Sequence, residues 1–576
     1  MFIERNRTQH AGKPYASVLL VQGKRVPAKR PPGRPRGGSP PPKSVVIHET
    51  LANLSRLPGE LIELIEGYCQ GSPAEAAAPA VRGVARAPGA AAEVSLHVGP
   101  CYGLLAGLHA LARELGIVAA VGEVTRTQRL ALYLIYARLV HQGSRLSAAR
   151  ASEDHAVREV LQVGGFDEDD LYAALEYLEE HQARIEAELT PKPPGGGAQS
   201  VFLYDVTSVY FEGQHHELAE FGYNRDGKKG KKQMVAGLLC DGQGEPIWIQ
   251  LYRGNTHDPP TFLDAVAKLK VRFGAQEIAL VGDRGMIKAL GKQALGEAQF
   301  RYVTALTEPQ VRALLRQGVL QMELFDEKPA EVEAAGKRYV LRCNPQTQAR
   351  ERARRADQWR RVQEQIRARN AAVEQKPRCE PATSLRTAQA LVQKYRLGGW
   401  VSVRLEGRKV RWTEDTAARE AQAQLDGCYV VESDLPVAVA STQQVHDRYV
   451  DLTRVERGFR TLKTGLLEIR PVFLRKADRT RGHALVSLLA LKLARELDRR
   501  VAPLGLTVED AVERLQGVRL VCLGDPGLGL WRFADSYPLA QTQVLEALPK
   551  LPAPVLSLGK ANLRRLKNPR QGRHAQ

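Results

Sequence analysis

Apolar and polar positions change texture several times along the chain. "SVVIHETLANLSRLPGELIELIEGY" carries apolar residues at helical spacing and predicts a helix after residue 44. Residues 98–190 are rich in helix formers, as in "DEDDLYAALEYLEEHQARIEAEL", and predict an all-helical region that "TPKPPGGGAQS" ends. From residue 200 the pattern turns to strand: "SVFLYDVTSVYFE" is β-branched and aromatic, and "QMVAGLLCDGQGEPIWIQLYRG" reads as a hairpin around a Gly-containing turn. "DPPTFLDAVAKLKVRF" places Phe262, Val266, Leu269 and Phe273 on one helical face. "EIALVGDRGM" is an apolar run with a charged tip, a buried strand. A helix, "IKALGKQALGEA", and another strand, "RYVTALT", follow. The predicted order is β-β-β-α-β-α-β, an α/β core with a parallel partner added by crossover.

Residues 310–426 interrupt that core. They mix strands ("KRYVLRC", "GWVSVRLEGRKVRW") with an arginine-rich helix over 349–369. "GCYVVESDLPVAVA" returns to strand, and two helices follow, "TRVERGFRTLKT" and "RGHALVSLLALKLARELDRRV". Low-complexity stretches at 24–43 and 72–93 cannot supply a packed core. The expected organisation is an N-terminal segment (1–71), a linker (72–94), a helical region (95–190), a first core part (200–309), an insertion (310–426), a second core part (427–500) and a C-terminal tail region (501–576), frayed and basic at its end.

A chain of 576 residues is long enough for several domains. The formal charge of +19 and pI near 9.6 favour a polyanionic partner, nucleic acid first. The seven cysteines are scattered singly with no C-x-x-C pair, which disfavours a zinc ribbon and fits a reducing cytosol. No apolar run reaches membrane-spanning length and no secretion signal is visible, so a cytoplasmic place is expected.

Three acidic residues carry candidate chemistry. Asp205 sits inside an apolar strand, where an aspartate is disfavoured and needs a partner. Asp283 ends a buried strand, at the edge where open α/β sheets bind ligands; a helix N-cap explains it equally well when taken alone. Glu456 lies among Arg454, Arg457, Arg460 and Lys463. On one continuous helix Val455, Phe459, Leu462 and Leu466 form the buried stripe. Tyr449, Leu452, Glu456, Arg460 and Lys463 then share a flanking face. Three carboxylates from two strands and a helix make a hard-oxygen site for two Mg²⁺ or Mn²⁺ ions, with the neighbouring cations set for phosphates.

"YDVTSVYFEG", "FGYNRDGKKGKKQMVAGLL", "YRGNTHDPPTF", "LVGDRGM" and "YVDLTRVERGFRTLKT" together resemble the IS4-like superfamily of DDE transposases, the IS1634 type most closely. The resemblance covers roughly 95–500, and 44–70 is similar to the family's N-terminal segment. It implies a ribonuclease-H-like mixed sheet core with a strand-rich insertion between the second Asp and the Glu, preceded by a small all-helical domain. It implies a cut-and-paste type of reaction: metal-dependent cleavage at an insertion sequence's ends, then strand transfer into target DNA, by a homodimer on double-stranded DNA. Asp205, Asp283 and Glu456 would be catalytic and metal-binding. The family's Tyr-x2-Arg-x3-Glu-x6-Lys helix maps to Tyr449, Leu452, Glu456 and Lys463, with Leu452 where the family often has Arg. Arg448 or Arg454 would supply the contact this loses. Arg284, Arg457 and Arg460 join Tyr449 and Lys463 as expected DNA contacts. The alternatives are a catalytically inactive or co-opted sequence-specific DNA-binding protein, or a nuclease with the same core.

Other features stand outside this set. "GYNRDGKK" imitates a phosphate-binding P-loop but ends in Lys229 where a hydroxyl is required, so no nucleotide is implied. "KRPPGRPRGG" resembles a minor-groove hook through Arg34, with a solvated basic linker as the plainer reading. The arginines of 349–369 suit DNA or a solvated face equally. Trp400 and Trp412 fit core packing better than base stacking, and His257 and His483 are expected to be structural.

Overall fold

The computed structural model describes residues 2–53 apart from 11–12 and 28–43, and residues 96–551 apart from 191–199, 274–277, 464–465, 471–472, 524–530, 533–537 and the single positions 142, 214, 229, 285 and 377. The chain divides into two compact units, Met1–Ala92 and Glu93–Gln576.

The first unit holds an antiparallel three-stranded sheet of β1 (Phe2–His10), β2 (Lys13–Pro27) and β3 (Ser44–Asn53). The helix expected after residue 44 is a strand over its described part. Val45, Val46 and Ile47 are β-branched, and their pairing with Val26, Arg25 and Lys24 overrides the helical spacing. Lys24–Pro27, expected to lie in unstructured sequence, close that pairing. Arg34 and the basic chain end beyond 551 lie outside the described residues.

The second unit opens with β4 (Leu96–Cys101) and a run of helices from Gly103 to Leu189 that includes α1 (Arg126–Arg138) and α2 (Glu168–Glu180). Next come β5 (Ser200–Phe211), β6 (Lys232–Asp241), β7 (Pro246–Arg253), α3 (Asp258–Phe273), β8 (Ile278–Gly282), α4 (Ala289–Glu297) and β9 (Arg301–Ala305). This is the order read from the sequence. β5 pairs antiparallel with β6 and parallel with β8, and β8 is parallel to β9. The five residues of β8 are all buried, as a central strand with both faces covered requires.

Two further strands, β10 (Ala330–Ala334) and β11 (Lys337–Cys343), extend the same sheet, whose full order is β10-β11-β14-β9-β8-β5-β6-β7, with β14 at Cys428–Ser433. Between β11 and β14 the chain makes an excursion of α5 (Pro345–Gln375), α6 (Pro381–Lys394) and the hairpin β12 (Val401–Glu406) and β13 (Lys409–Glu414). That excursion has its own core of Trp359, Val362, Ile366, Ala388, Trp400 and Val410. Trp359 meets Trp400 and Trp412 edge-on, at 5.7 and 6.0 Å between ring centres; Trp400 is buried in this core, as expected, and Trp412 is half-buried against it.

After β14 come α7 (Thr442–Val450), α8 (Leu452–Lys463) and α9 (Ala477–Val501). The single helix expected through Tyr449 and Glu456 is two helices, divided at Asp451. Asp451 closes α7 through its amide on Asp447 O, and its carboxylate pairs with Arg454 at 3.0 Å. Tyr449 and Glu456 therefore reach the site from different helices. α9 packs on α1, α2 and β7, so the helical region and the sheet share one apolar core. The approach to α2 is close enough to require Gly482, where a Cβ would stand 2.0 Å from Leu175 O. Near the C-terminal end, β15 (Arg519–Leu523) pairs antiparallel with β4.

Candidate active site

The sheet register brings the two aspartates together. Tyr204 of β5 stands beside Gly282 of β8 in parallel pairing, so Asp205 and Asp283 step off neighbouring strands at the same level. The residue opposite Asp205 on β6 is Leu238. α8 crosses there on Gly458, whose missing side chain leaves a Cβ position 3.3 Å from Leu238 Cδ2. Val455, Phe459 and Leu462 are buried beneath α8, as the helical pattern predicts, while Leu466 falls beyond the helix and Leu452, expected on the flanking face, is buried as well. Glu456, two residues before Gly458 and off that stripe, is exposed toward the sheet end. All three carboxylates line one pocket of about 190 Å³, together with Tyr429, Tyr449 and Thr453.

Crowding shows in Asp205. Burial, then the charges of Asp283 and Glu456, push its pKa up to about 7, against the Val206 amide at 2.7 Å and the more distant Arg225. Asp283 accepts from the Arg284 amide at 2.6 Å and from Tyr449 Oη at 3.3 Å. Burial and Asp283 hold the Tyr449 phenol well above its ordinary value, so it stays a donor. The donor set fits a hard divalent cation: three carboxylates, one of them costly to ionise without a counter-charge. They converge without closing a ready cage; among the described residues no three His, Cys, Asp or Glu side chains form a metal-holding group.

The surrounding cations divide. Arg284, Arg457 and Arg460 are exposed. Lys463 is committed within the chain: its Nζ donates to Thr207 Oγ1 at 2.6 Å and to Asp226 Oδ1 at 2.8 Å. Arg454, one of the two residues considered as a substitute for the missing family arginine, is tied to Asp451 and Gly242 O, and Leu452 itself is buried. The "GYNRDGKK" stretch leads into strand β6, not a helix, so the P-loop is excluded structurally as well. In α5, Arg355 pairs with Asp426, and Arg360 and Arg361 with Asp357, while Arg350 and Arg354 remain exposed. His483 is buried, which holds its pKa well below the ordinary value, and His257 is exposed.

Three participants escaped the sequence reading. Tyr429 lines the carboxylate pocket and also a neighbouring cleft of about 710 Å³ between α5, α6 and the end of β14, which Arg284, Arg354, Lys394 and Arg396 share. Thr207 and Asp226 hold Lys463. The strand position of Thr207, two residues past Asp205, was the one available signal.

A mixed sheet with one aspartate inside β5, one just past the end of β8 and a helix-borne glutamate at one pocket defines the class as α/β with an acidic pocket at the sheet end. The family model for the transposase DDE domain matches residues 196–493, which spans β5 through most of α9. The chain belongs to that family and is a DDE transposase. None of the curated proteins matches it. Among solved structures, a piggyBac transposase synaptic complex with hairpin DNA is similar over 72% of this chain and 76% of that one, at 8% identity and a TM-score of 0.36. Among the described residues no helix is long and apolar enough to cross a membrane.

Proposed function

We propose that this transposase is of the IS4-like superfamily, IS1634 type, with a ribonuclease-H-like core, and that it cuts double-stranded DNA at an insertion sequence's terminal inverted repeats. The observation that carries this is the shared pocket of Asp205, Asp283 and Glu456, two of them level on adjacent parallel strands. These carboxylates would hold two Mg²⁺ or Mn²⁺ ions, which when bound supply Lewis-acid stabilisation of the attacking and leaving oxygens. Attack by water on the phosphodiester frees a 3′-OH, and that hydroxyl then attacks the target strand.

The chain's own groups set the stage. Tyr449 orients Asp283 by its hydrogen bond. Arg284, Arg457 and Arg460 meet phosphates, and Lys463 does so by exchanging Asp226 for a DNA phosphate. Arg34 would add a minor-groove contact. The helical region over 95–190 would bind DNA, the segment over 310–426, whose strands β10 and β11 join the main sheet, would act as the insertion domain, and a homodimer would pair two ends in the bacterial cytoplasm, at the nucleoid. The test is nicking of a labelled duplex carrying the inverted repeats that flank the coding region, with Mg²⁺. Asp205→Asn should abolish nicking and keep binding. Binding without cleavage by the unaltered chain would favour a co-opted DNA-binding protein. Cleavage of any duplex without strand transfer would favour a nuclease.

A further inference from the structure

Two cysteines 85 positions apart in sequence meet across the sheet, for Cys343 of β11 is paired with Cys428 of β14. The next pair outward, Asn344 and Gly427, is joined by Asn344 N–H to Gly427 O at 2.9 Å. The amides of Cys343 and Cys428 bond elsewhere, to Asp326 O and Leu425 O. The cysteines therefore form a non-hydrogen-bonded antiparallel pair, the type with the shorter Cα separation, about 4.5 Å, and the closer side chains. That separation lies within the range of about 4.4–6.8 Å that a disulfide spans.

Their place matters as much as their spacing. Cys343 is the last residue of β11 before α5, and Cys428 is the first of β14 after the excursion. The pair thus spans the neck through which residues 344–427 leave and re-enter the sheet. Cys428 lines the wide cleft, its strand partner Cys343 is likewise only half-buried, so a small solute reaches the pair, and the neighbouring Tyr429 also lines the carboxylate pocket. Each thiol rests on a carbonyl, Cys343 on Asp426 O at 3.7 Å and Cys428 on Gln424 O at 3.6 Å, and the Cys343 sulfur also accepts from Gln348 Nε2 at 3.7 Å. We propose that Cys343 and Cys428 are an oxidative modification site, a dithiol that a hydroperoxide converts to a disulfide stapling the neck of the excursion. This holds whether or not the carboxylate pocket works as proposed above.

The steps balance. The Cys343 thiolate attacks a peroxide oxygen, the O–O bond breaks, and hydroxide leaves and takes up a proton, giving Cys343–S–OH and water. The Cys428 sulfur attacks the Cys343 sulfur, the S–O bond breaks, and the departing hydroxide takes the Cys428 proton as a second water. Two thiols and one hydrogen peroxide yield one disulfide and two waters. Burial and the neighbouring Cys343 thiol push the Cys428 pKa up to about 12, which disfavours it as the first nucleophile towards the peroxide.

The experiment treats the full-length reduced protein with a small excess of hydrogen peroxide, alkylates the remaining thiols, and maps peptides without reduction. The expected product is a Cys343–Cys428 linked peptide lighter by two hydrogens. Cys379, half-buried elsewhere in the excursion, should remain alkylated at the same dose. The thermal midpoint of the oxidised protein should rise, return on adding dithiothreitol, and not move in Cys343→Ser. Recovery of Cys343 and Cys428 as separately alkylated or separately overoxidised residues would overturn the proposal. So would disulfides joining either one to a second chain. Because the linkage is read in the unaltered chain, poor folding of the serine variant would not obscure the result.

Discussion

Replacing Asp205 by Asn removes one of three crowded charges and keeps the shape of the side chain. Asn can still accept from the Val206 amide, so the change isolates ionisation. In the folded chain the Asp205 carboxyl titrates near about 7, against an ordinary 3.8. The folded value is the higher, so the folded state holds a proton that the unfolded chain gives up. Stability contributed by this group is therefore present below about pH 4 and is lost as pH rises towards 7. The full displacement corresponds to about 4 kcal/mol, and roughly 2 kcal/mol of it is already lost by pH 5.5. Water reaching the half-buried carboxyl trims both figures. Without divalent ions, Asp205→Asn should thus be more stable than the unaltered chain by up to about 2 kcal/mol at pH 5.5 and up to about 4 kcal/mol at pH 8.5. Thermal melts of both proteins with EDTA, across this range, read the gap directly. Adding Mn²⁺ at pH 8.5 should raise the midpoint of the unaltered chain much more than that of the variant. A gap that stays constant or narrows with pH would refute the reasoning, because burial and the two neighbouring acids would then not govern this group.

Three further outcomes are expected. Asp226→Asn should tighten DNA binding by roughly 0.2–1 kcal/mol, because Lys463 no longer leaves a carboxylate to reach its phosphate, while folding stability changes by less than about 1 kcal/mol; an unchanged affinity would refute the exchange. Gly482→Ala should cost roughly 1–3 kcal/mol or more by forcing α9 off the Leu175 carbonyl, seen as a lower urea midpoint. Trp359→Ala should cost about 3–5 kcal/mol and act locally, with amide exchange accelerating in α5, α6 and the β12–β13 hairpin while β5 and β8 stay protected.

Local patterns carried most of the core elements. The run of β5, β6, β7, α3, β8, α4 and β9 follows from period-two strands, helical spacing and Gly-containing turns, each of which acts over a few residues. Two errors share one cause. The spacing in "SVVIHETLAN" reads as helix, yet β2 offers those backbone groups a sheet partner. The pattern around "DRYVDLTRVERGF" reads as one helix, yet Asp451 ends the first and its carboxylate holds Arg454 of the second. Both depend on a partner that periodicity does not register. Lys463 was expected to face DNA; its Asp226 and Thr207 partners lie more than 230 residues away in sequence.

By itself the sequence determined which side chains were available and which surfaces each element had to bury. That was enough to mark Asp205 as out of place in an apolar strand, Asp283 as the tip of a buried one, and Glu456 as off the stripe that α8 hides. Tertiary structure alone decided their meeting, through parallel register between β5 and β8 and a glycine that lets α8 lie on β6. It also turned seven cysteines that look solitary into a set containing one facing pair. The physical reason is the same in each case: strand pairing and close helix crossing join residues far apart along the chain, and short-range pattern holds no information about which distant segment will be the neighbour.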